Sequence, residues 1–449
     1  MKQIEIVVEL NICSHKFIIA IYYENMENQV VIIAGGKGTR LKKESGNLPK
    51  SLVKIGRKTI LDYQIENIIK NNITNIHFCL GYGHDEILNH LAVNYKNLKY
   101  TYTIENEPLG TYGALYNSKD KLKDNIFLLL GDVLTNYKIK EGFNDFLKFN
   151  YDIMLVSRYT DHPHDSDLLI SNNQNKVIGI ERESDLDQLY SPIGNTGLLY
   201  IKKTKIKRLK KKQPDVVKDY IKNNLRSLNV FHSLTVDYIK DVGTPDRLSE
   251  AKKNIKNIFY EKPIICFLDR DETLIFDQGN ENNYNNIKFK PYAINFLKFL
   301  QKKGIKVILV TNQPGVAKGY FNTDDVNNFH NYLQLLLIKK KIKPLNAIYF
   351  CPHHPQSGFE KENKAYKIKC DCRKPNIGMV SKAIGDLHLE NSKYFFVGDT
   401  KNDYLLSKKI NSKIYIVKSK FTEIEYFHKK DVEVNKNLNE VVKLINNID

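Results

Sequence analysis

The sequence predicts an α/β protein made of two open, mainly parallel sheets in tandem. Three observations carry that prediction. Short runs that are apolar throughout and rich in β-branched residues recur along the chain, as strands buried on both faces require. Segments of helical periodicity separate them. The alternation lapses over a polar, helical stretch at 248–257 and then starts again.

The first strand is read over 30–34 and runs into glycines. Residues 59–71 follow with helical spacing of Ile60, Leu61, Ile65, Ile68 and Ile69. A strand over 76–80, a helix over 86–95, an extended segment over 100–104 and a wholly apolar strand over 126–130 complete the first series. The second series reads as a strand over 264–268, a helix over 293–302, a strand over 306–310, a helix over 329–338, and strands over 347–350 and 394–397. This gives a first domain over 29–250, a linker over 251–262 and a second domain over 263–449. Residues 1–28 are read as an extension outside the first domain. Residues 4–23 are apolar but are broken by Glu5, Glu9, His15 and Lys16, so they lack the unbroken centre of a secretory signal. Met26, just before the first strand, is an alternative start.

Composition narrows the function classes. The 449 residues carry 69 Lys+Arg against 51 Asp+Glu, a net charge of +18. Such a balance raises nucleic acid, a membrane surface or anionic small molecules as partners. Lysine is abundant throughout, however, and the basic run 202–212 reads as a solvated face. No apolar stretch is long enough to span a membrane. Six cysteines are too few for a disulfide framework, which points to a reduced, cytoplasmic setting.

Gly35-Gly36-Lys37-Gly38-Thr39-Arg40 follows the first strand. A strand running into such a turn lets backbone N–H groups approach a phosphate. The spacing is neither a Walker A nor a dinucleotide fingerprint. Further along stand Pro49-Lys50-Ser51-Leu52, Leu109-Gly110-Thr111, Gly131-Asp132, Asn195-Thr196-Gly197 and Asp241-Val242-Gly243-Thr244-Pro245. Together these residues resemble the sugar-1-phosphate nucleotidyltransferases, over about residues 29–250. The resemblance implies a Rossmann-like sheet and attack of a sugar 1-phosphate on the α-phosphate of a nucleoside triphosphate. It casts Arg40 and Lys50 as catalytic cations and Asp132 and Asp241 as Mg²⁺ ligands. It places Gly35, Gly36, Gly38, Thr39, Gly110 and Thr111 against the nucleotide and Asn195 against the sugar. One departure stands out: the family's lysine after the 177–180 strand is missing, and Glu181-Arg182-Glu183 occupies that place.

In the second half, Asp269-Arg270-Asp271 follows directly on a buried strand. Two carboxylates at i and i+2 suit a nucleophile and an acid/base partner sharing Mg²⁺. Thr311-Asn312-Gln313, Arg373-Lys374 and Gly398-Asp399 offer phosphate and metal contacts at other strand ends. Cys351 and His353, with Cys370 and Cys372 beyond a loop, form a Cys₃His set with the spacing of structural zinc.

These motifs resemble the haloacid dehalogenase superfamily, over about residues 262–449. Within it they are similar to the heptose 1,7-bisphosphate phosphatases, with histidinol-phosphate phosphatases as relatives sharing the zinc loop. The resemblance implies a second Rossmann-like sheet. It makes Asp269 the nucleophile and Asp271 the acid/base, with Thr311, Asn312, Arg373 and Lys374 on the phosphate. Mg²⁺ falls to Asp269, Asp399 and Asp271, the last through its backbone carbonyl. Glu272 stands where the family has glycine.

The fusion favours heptose, because such a phosphatase leaves a sugar 1-phosphate that a nucleotidyltransferase consumes. By analogy with the guanylyltransferase route, GTP is the expected donor. The expected partners are therefore a nucleoside triphosphate and heptose phosphates, with neither nucleic acid nor membrane, and the oligomeric state stays open. A hexose-1-phosphate transferase joined to another phosphatase, and a non-catalytic nucleotide-sensing scaffold, are the alternatives.

Overall fold

The computed structural model describes residues 7–12, 15–20, 27–36, 46, 48–187 and 189–446. Gly38, Thr39 and Arg40 therefore lie outside the described residues. Val7–Ile12 and His15–Ala20 pair with each other as an antiparallel ladder and with none of the other described strands.

The first sheet joins nine described strands. Its parallel part is Asn125–Leu130, Asn28–Ala34, Ile76–Leu80 and Tyr100–Ile104, side by side in that order. Val30, Val31, Ile32, Phe78, Phe127 and Leu128 are wholly buried, because helices cover both faces. Ile60–Lys70 is one of these helices. Thr59 and Asp62 cap it reciprocally, and it turns Leu61, Ile65 and Ile68 onto the sheet. The sheet continues through antiparallel strands, with Ile193–Lys202 lying between Asn125–Leu130 and Ile153–Tyr159.

The second sheet has six described strands. Ile264–Leu268 lies centrally between Lys306–Asn312 and Lys393–Gly398, all parallel. Asp269 and Asp399 thus leave adjacent strand ends together.

The helix Pro245–Phe259 differs from the expected linker over 251–262. Its Leu248 and Ala251 are buried, and Ile255 and Phe259 pack beside Tyr63 and Val53 of the first half. An apolar stripe at helical spacing was hidden there by six lysine, glutamate and asparagine neighbours. Part of the basic run 202–212 is occupied by the first half's own acceptors: Lys203 donates to the Leu122 carbonyl and Lys205 pairs with Asp152 at 3.0 Å. The two halves touch. Val236 packs into an apolar cluster of the second sheet, and His388 Nε2 lies 3.0 Å from Asp145.

Candidate active sites

Four parallel strands of the first sheet end at one cavity of about 700 Å³, lined by Gly35, Gly36, Lys50, Gly81, Glu105, Gly110, Thr111 and Asp132 among others. Lys50, in a short 3₁₀ turn after Pro49, places its Nζ 2.9 Å from Asp132 Oδ2. Asp241 comes to the same point from another direction. Its strand, Ile239–Asp241, pairs antiparallel with Val133–Thr135, and Val242 N–H donates to the Asp132 carbonyl. Gly243 shows how tightly these groups converge. A methyl group there would sit 2.7 Å from Asp241 Oδ1, 3.2 Å from Lys50 Nζ and 3.6 Å from Asp132 Oδ2. Only glycine leaves the space between them open. Two carboxylates and one ammonium around an open point suit Mg²⁺, which favours a few carboxylates plus phosphate oxygens.

Other expected contacts fall differently. Thr111 lines the cavity, but its hydroxyl donates to Asp215 and accepts from Val216 N–H, so the side chain is committed to the turn that starts the next helix. Gly110 lies against the backbone of Gln213 and Pro214. Asn195 accepts from Gly197 N–H at 3.3 Å. Arg182, standing where a lysine was expected nearby, pairs with Asp167 at 3.1 Å. Glu105 was missed by the sequence reading. Its carboxyl lies against Gly35 and Gly81 on the cavity wall, accepts from Leu109 N–H, and is held above the usual carboxylate range by burial.

In the second half, Asp269 is almost buried at the end of the central strand, with its N–H donating to the Val397 carbonyl. Lys374 Nζ reaches Asp269 Oδ1 at 2.6 Å and Asp403 Oδ1 at 2.7 Å. Burial opposes the charge on Lys374, but Asp269 and Asp403 outweigh it and hold the ammonium above its ordinary range. Asn312 was expected on the phosphate. Its amide instead brackets the Lys374 backbone, accepting from the N–H and donating to the carbonyl. The Arg373 guanidinium likewise turns to the His353 carbonyl at 3.2 Å.

Asp269, Asp399 and Asp403 bring carboxylate oxygens within 4.8 Å of one another. Gly398 makes this possible: a methyl group there would lie 2.5 Å from Asp403 Cγ. Burial and the surrounding acids push Asp269 well above its ordinary value, while burial pushes Asp399 up to about 7. Asp399 Oδ2 accepts from Ser419 Oγ at 2.6 Å, but Oδ1 is buried with no hydrogen-bond partner. Three buried acids facing one lysine, with one oxygen orphaned, fit a divalent cation. Asp271, expected among the Mg²⁺ ligands, does not bring its carboxylate to this group. It accepts from Arg270 Nε at 3.0 Å and Gln313 Nε2 at 2.8 Å, with Thr311 Oγ1 at 3.4 Å, which leaves its backbone carbonyl for a metal. Asp403 joins the cluster as a further carboxylate, and the expected Asp271 contact, through its backbone carbonyl, is compatible with these side-chain bonds.

Cys351, His353, Cys370 and Cys372 also meet. Their sulfur–sulfur and sulfur–Nδ1 separations run from 3.2 to 3.8 Å. Bonds of about 2.3 Å to sulfur and 2.0 Å to nitrogen give tetrahedral edges of roughly 3.5–3.8 Å. The set therefore fits Zn²⁺. His354 lies apart, accepting from Gln356 N–H. Burial pushes the Cys372 thiol up to about 11, so it is protonated unless a cation displaces the proton. Chelator treatment of the zinc-loaded chain should release one Zn²⁺ per chain and lower the melting temperature of the second half. Unchanged melting with no metal released would remove this assignment.

The comparisons with known proteins match this division. The nucleotidyl transferase family model matches residues 29–258, and the polynucleotide kinase 3 phosphatase model matches 264–439. The chain is 35% identical over 171 residues to the D-glycero-beta-D-manno-heptose-1,7-bisphosphate 7-phosphatase of Haemophilus ducreyi, covering 38% of this chain and 91% of that one. The chain belongs to the nucleotidyl transferases and to the heptose-bisphosphate 7-phosphatases. The corresponding Escherichia coli enzyme is 35% identical over 137 residues, 30% of this chain and 69% of that one. The crystal structure of HddC from Yersinia pseudotuberculosis aligns over 51% of this chain and 99% of that one, with 26% identity and a TM-score of 0.45.

The nucleotidyltransferase half and the phosphatase half each carry an activity of their own, so this is a bifunctional enzyme. The transferase site presents its cation and acids beside an open cavity, as nucleotide binding requires. The phosphatase site presents a buried carboxylate beside a buried ammonium, an arrangement that can receive a phosphoryl group and neutralise it. Among the described residues, no helix is long and apolar enough to cross a membrane.

Proposed function

We propose that this chain removes the 7-phosphate of D-glycero-D-manno-heptose 1,7-bisphosphate and then transfers GMP from GTP to the resulting heptose 1-phosphate, releasing pyrophosphate. The observation that carries this reading is the presence of both sites on one chain, the second making what the first consumes. The relatives named as heptose 1,7-bisphosphate 7-phosphatases support the sugar.

In the phosphatase half, Asp269 attacks the phosphorus and the bond to the sugar oxygen breaks. Asp271 exchanges its bonds to Arg270 and Gln313 for the leaving oxygen and gives it a proton. Asp271 then takes a proton from the water that opens the aspartyl-phosphate, releasing phosphate and restoring Asp269. Lys374 stays on Asp269 and on the phosphoryl oxygens. Mg²⁺, which Asp269, Asp399, Asp403 and the Asp271 backbone carbonyl would hold, would add charge neutralisation.

In the transferase half, a heptose 1-phosphate oxygen attacks the α-phosphorus and pyrophosphate leaves. Lys50 stands at the α-phosphate, Arg40 is assigned to the leaving group, and Asp132 and Asp241 would hold Mg²⁺, which neutralises the phosphates. Asn195 is assigned to the sugar. The free thiols Cys79 and Cys266, together with a nucleoside triphosphate donor, suit the cytoplasm.

Glu105 supports the choice of GTP. A carboxylate accepts and cannot donate, and guanine offers two adjacent donors, N1–H and the 2-amino group. Adenine sets an acceptor beside its amino donor, which a carboxylate repels. Among ATP, GTP, UTP and CTP, GTP should release pyrophosphate fastest with heptose 1-phosphate. Glu105→Gln should narrow the GTP preference over ATP by about tenfold or more. An unchanged preference would separate Glu105 from base selection.

A further inference from the structure

Glu272 follows Asp271 directly and sits at φ +57°, a left-handed conformation that costs a residue with a side chain of its size. Glycine would adopt it freely, so the side chain must return something for the strain. Glu272 is 4% exposed. Its carboxylate accepts from Asp277 N–H at 3.0 Å and from Lys290 Nζ at 2.7 Å, and Lys420 Nζ lies 3.8 Å away. Lys420 is also 3.3 Å from Asp277.

Lys420 belongs to the loop that holds Asp399. Ser419 Oγ donates to Asp399 Oδ2, and Thr422 Oγ1 donates to the Asp399 carbonyl. The loop carrying Asp269 and Asp271 and the loop beneath Asp399 are therefore joined through one lysine, Lys420, which faces both Glu272 and Asp277.

We propose that Glu272 is a positioning residue of the phosphatase half: through Lys420 it clamps the Ser419 loop and so sets Asp399 at its distance from Asp269 for Mg²⁺. This rests on the phosphatase reading above. Groups that orient metal ligands typically govern metal affinity by tenfold or more. Charge on both partners is required, because a lysine half in solvent stays in place only while the acids hold it.

The test uses the full chain carrying Asp132→Asn and Asp241→Asn, with Zn²⁺ loaded at the Cys/His set, so that the carboxylates of the phosphatase site are the ones left open to Mn²⁺. Mn²⁺ is titrated and its free signal followed by electron paramagnetic resonance. In that background Lys420→Met and Glu272→Gln should each raise the Mn²⁺ half-saturation about tenfold. Together they should raise it by less than the product of the two separate effects, because both act on metal affinity through Lys420. Lys420→Arg should restore most of the affinity. Lys420→Met changes a half-exposed side chain, so it reads the clamp even if Glu272→Gln unfolds. A half-saturation within twofold of the parent in Lys420→Met, whatever its melting temperature, would overturn the clamp. Failure of the parent itself to bind Mn²⁺ would overturn the metal site beneath it instead.

Discussion

Asp269→Asn should abolish phosphate release from heptose 1,7-bisphosphate, by about a thousandfold or more, because the amide cannot form the aspartyl-phosphate. Pyrophosphate release from GTP and supplied heptose 1-phosphate should persist at close to the parent rate. Two features give this outcome. Asp269 directly follows the central strand of the second sheet, and its partners Lys374, Asp399 and Asp403 stand in loops and the first turn of a helix of that same half. None of the transferase groups Lys50, Asp132 and Asp241 shares a bond with them. Asparagine keeps the volume of aspartate, so the fold should survive, although Lys374 loses one of its two anions. The measurement is paired phosphate and pyrophosphate assays on one preparation. A parallel fall in both products would show that the two chemistries are not separate.

Asp241→Asn should do the reverse. Pyrophosphate release should drop by about a hundredfold or more, as expected when a carboxylate is lost from a site that must balance a triphosphate. Phosphate release should be unchanged. Asp241 also accepts from Gly243 N–H on Oδ1 and pairs with Arg247 at 2.7 Å through Oδ2; asparagine keeps the first bond, and the second is a part-exposed pair whose loss costs the fold little. The defect should therefore lie in metal-dependent turnover rather than in folding, and extra Mg²⁺ should recover part of the rate. A variant as active as the parent at low Mg²⁺ would remove Asp241 from the metal site.

How far the sequence reveals this depends on the kind of signal. The parallel strands Asn28–Ala34, Asn125–Leu130 and Ile264–Leu268 are legible because burial on both faces makes their central residues apolar throughout. The antiparallel half of the first sheet is not. Ile193–Lys202 opens with Gly194, Asn195, Thr196 and Gly197, which read as a loop until the pairing with Ile153–Tyr159 is seen. The site residues divide in the same way. Asp269, Lys374, Asp132 and Asp241 stand in motifs whose local sequence names them. Asp403 does not, since it is one acid in the first turn of a helix. Its role comes from the missing side chain of Gly398, a contact across the fold. Glu105 follows a strand beside the exposed Glu107, and packing against Gly35 and Gly81 is what brings it to the cavity. Asn312 and Arg373 illustrate the opposite error. Both are polar residues in the right neighbourhood, yet folding turns them to the Lys374 backbone and the Cys/His loop.

The central claim is that one chain runs two consecutive steps. The most direct test is to supply the purified chain with heptose 1,7-bisphosphate, as each anomer separately, together with GTP and Mg²⁺. Products are read by mass spectrometry alongside phosphate and pyrophosphate. The expected result, with one of the anomers, is GDP-heptose accumulating with equal amounts of phosphate and pyrophosphate, and no pyrophosphate before phosphate appears. Phosphate release that never leads to a nucleotide sugar with any of the four nucleoside triphosphates, or turnover of hexose 1-phosphates in its place, would contradict it.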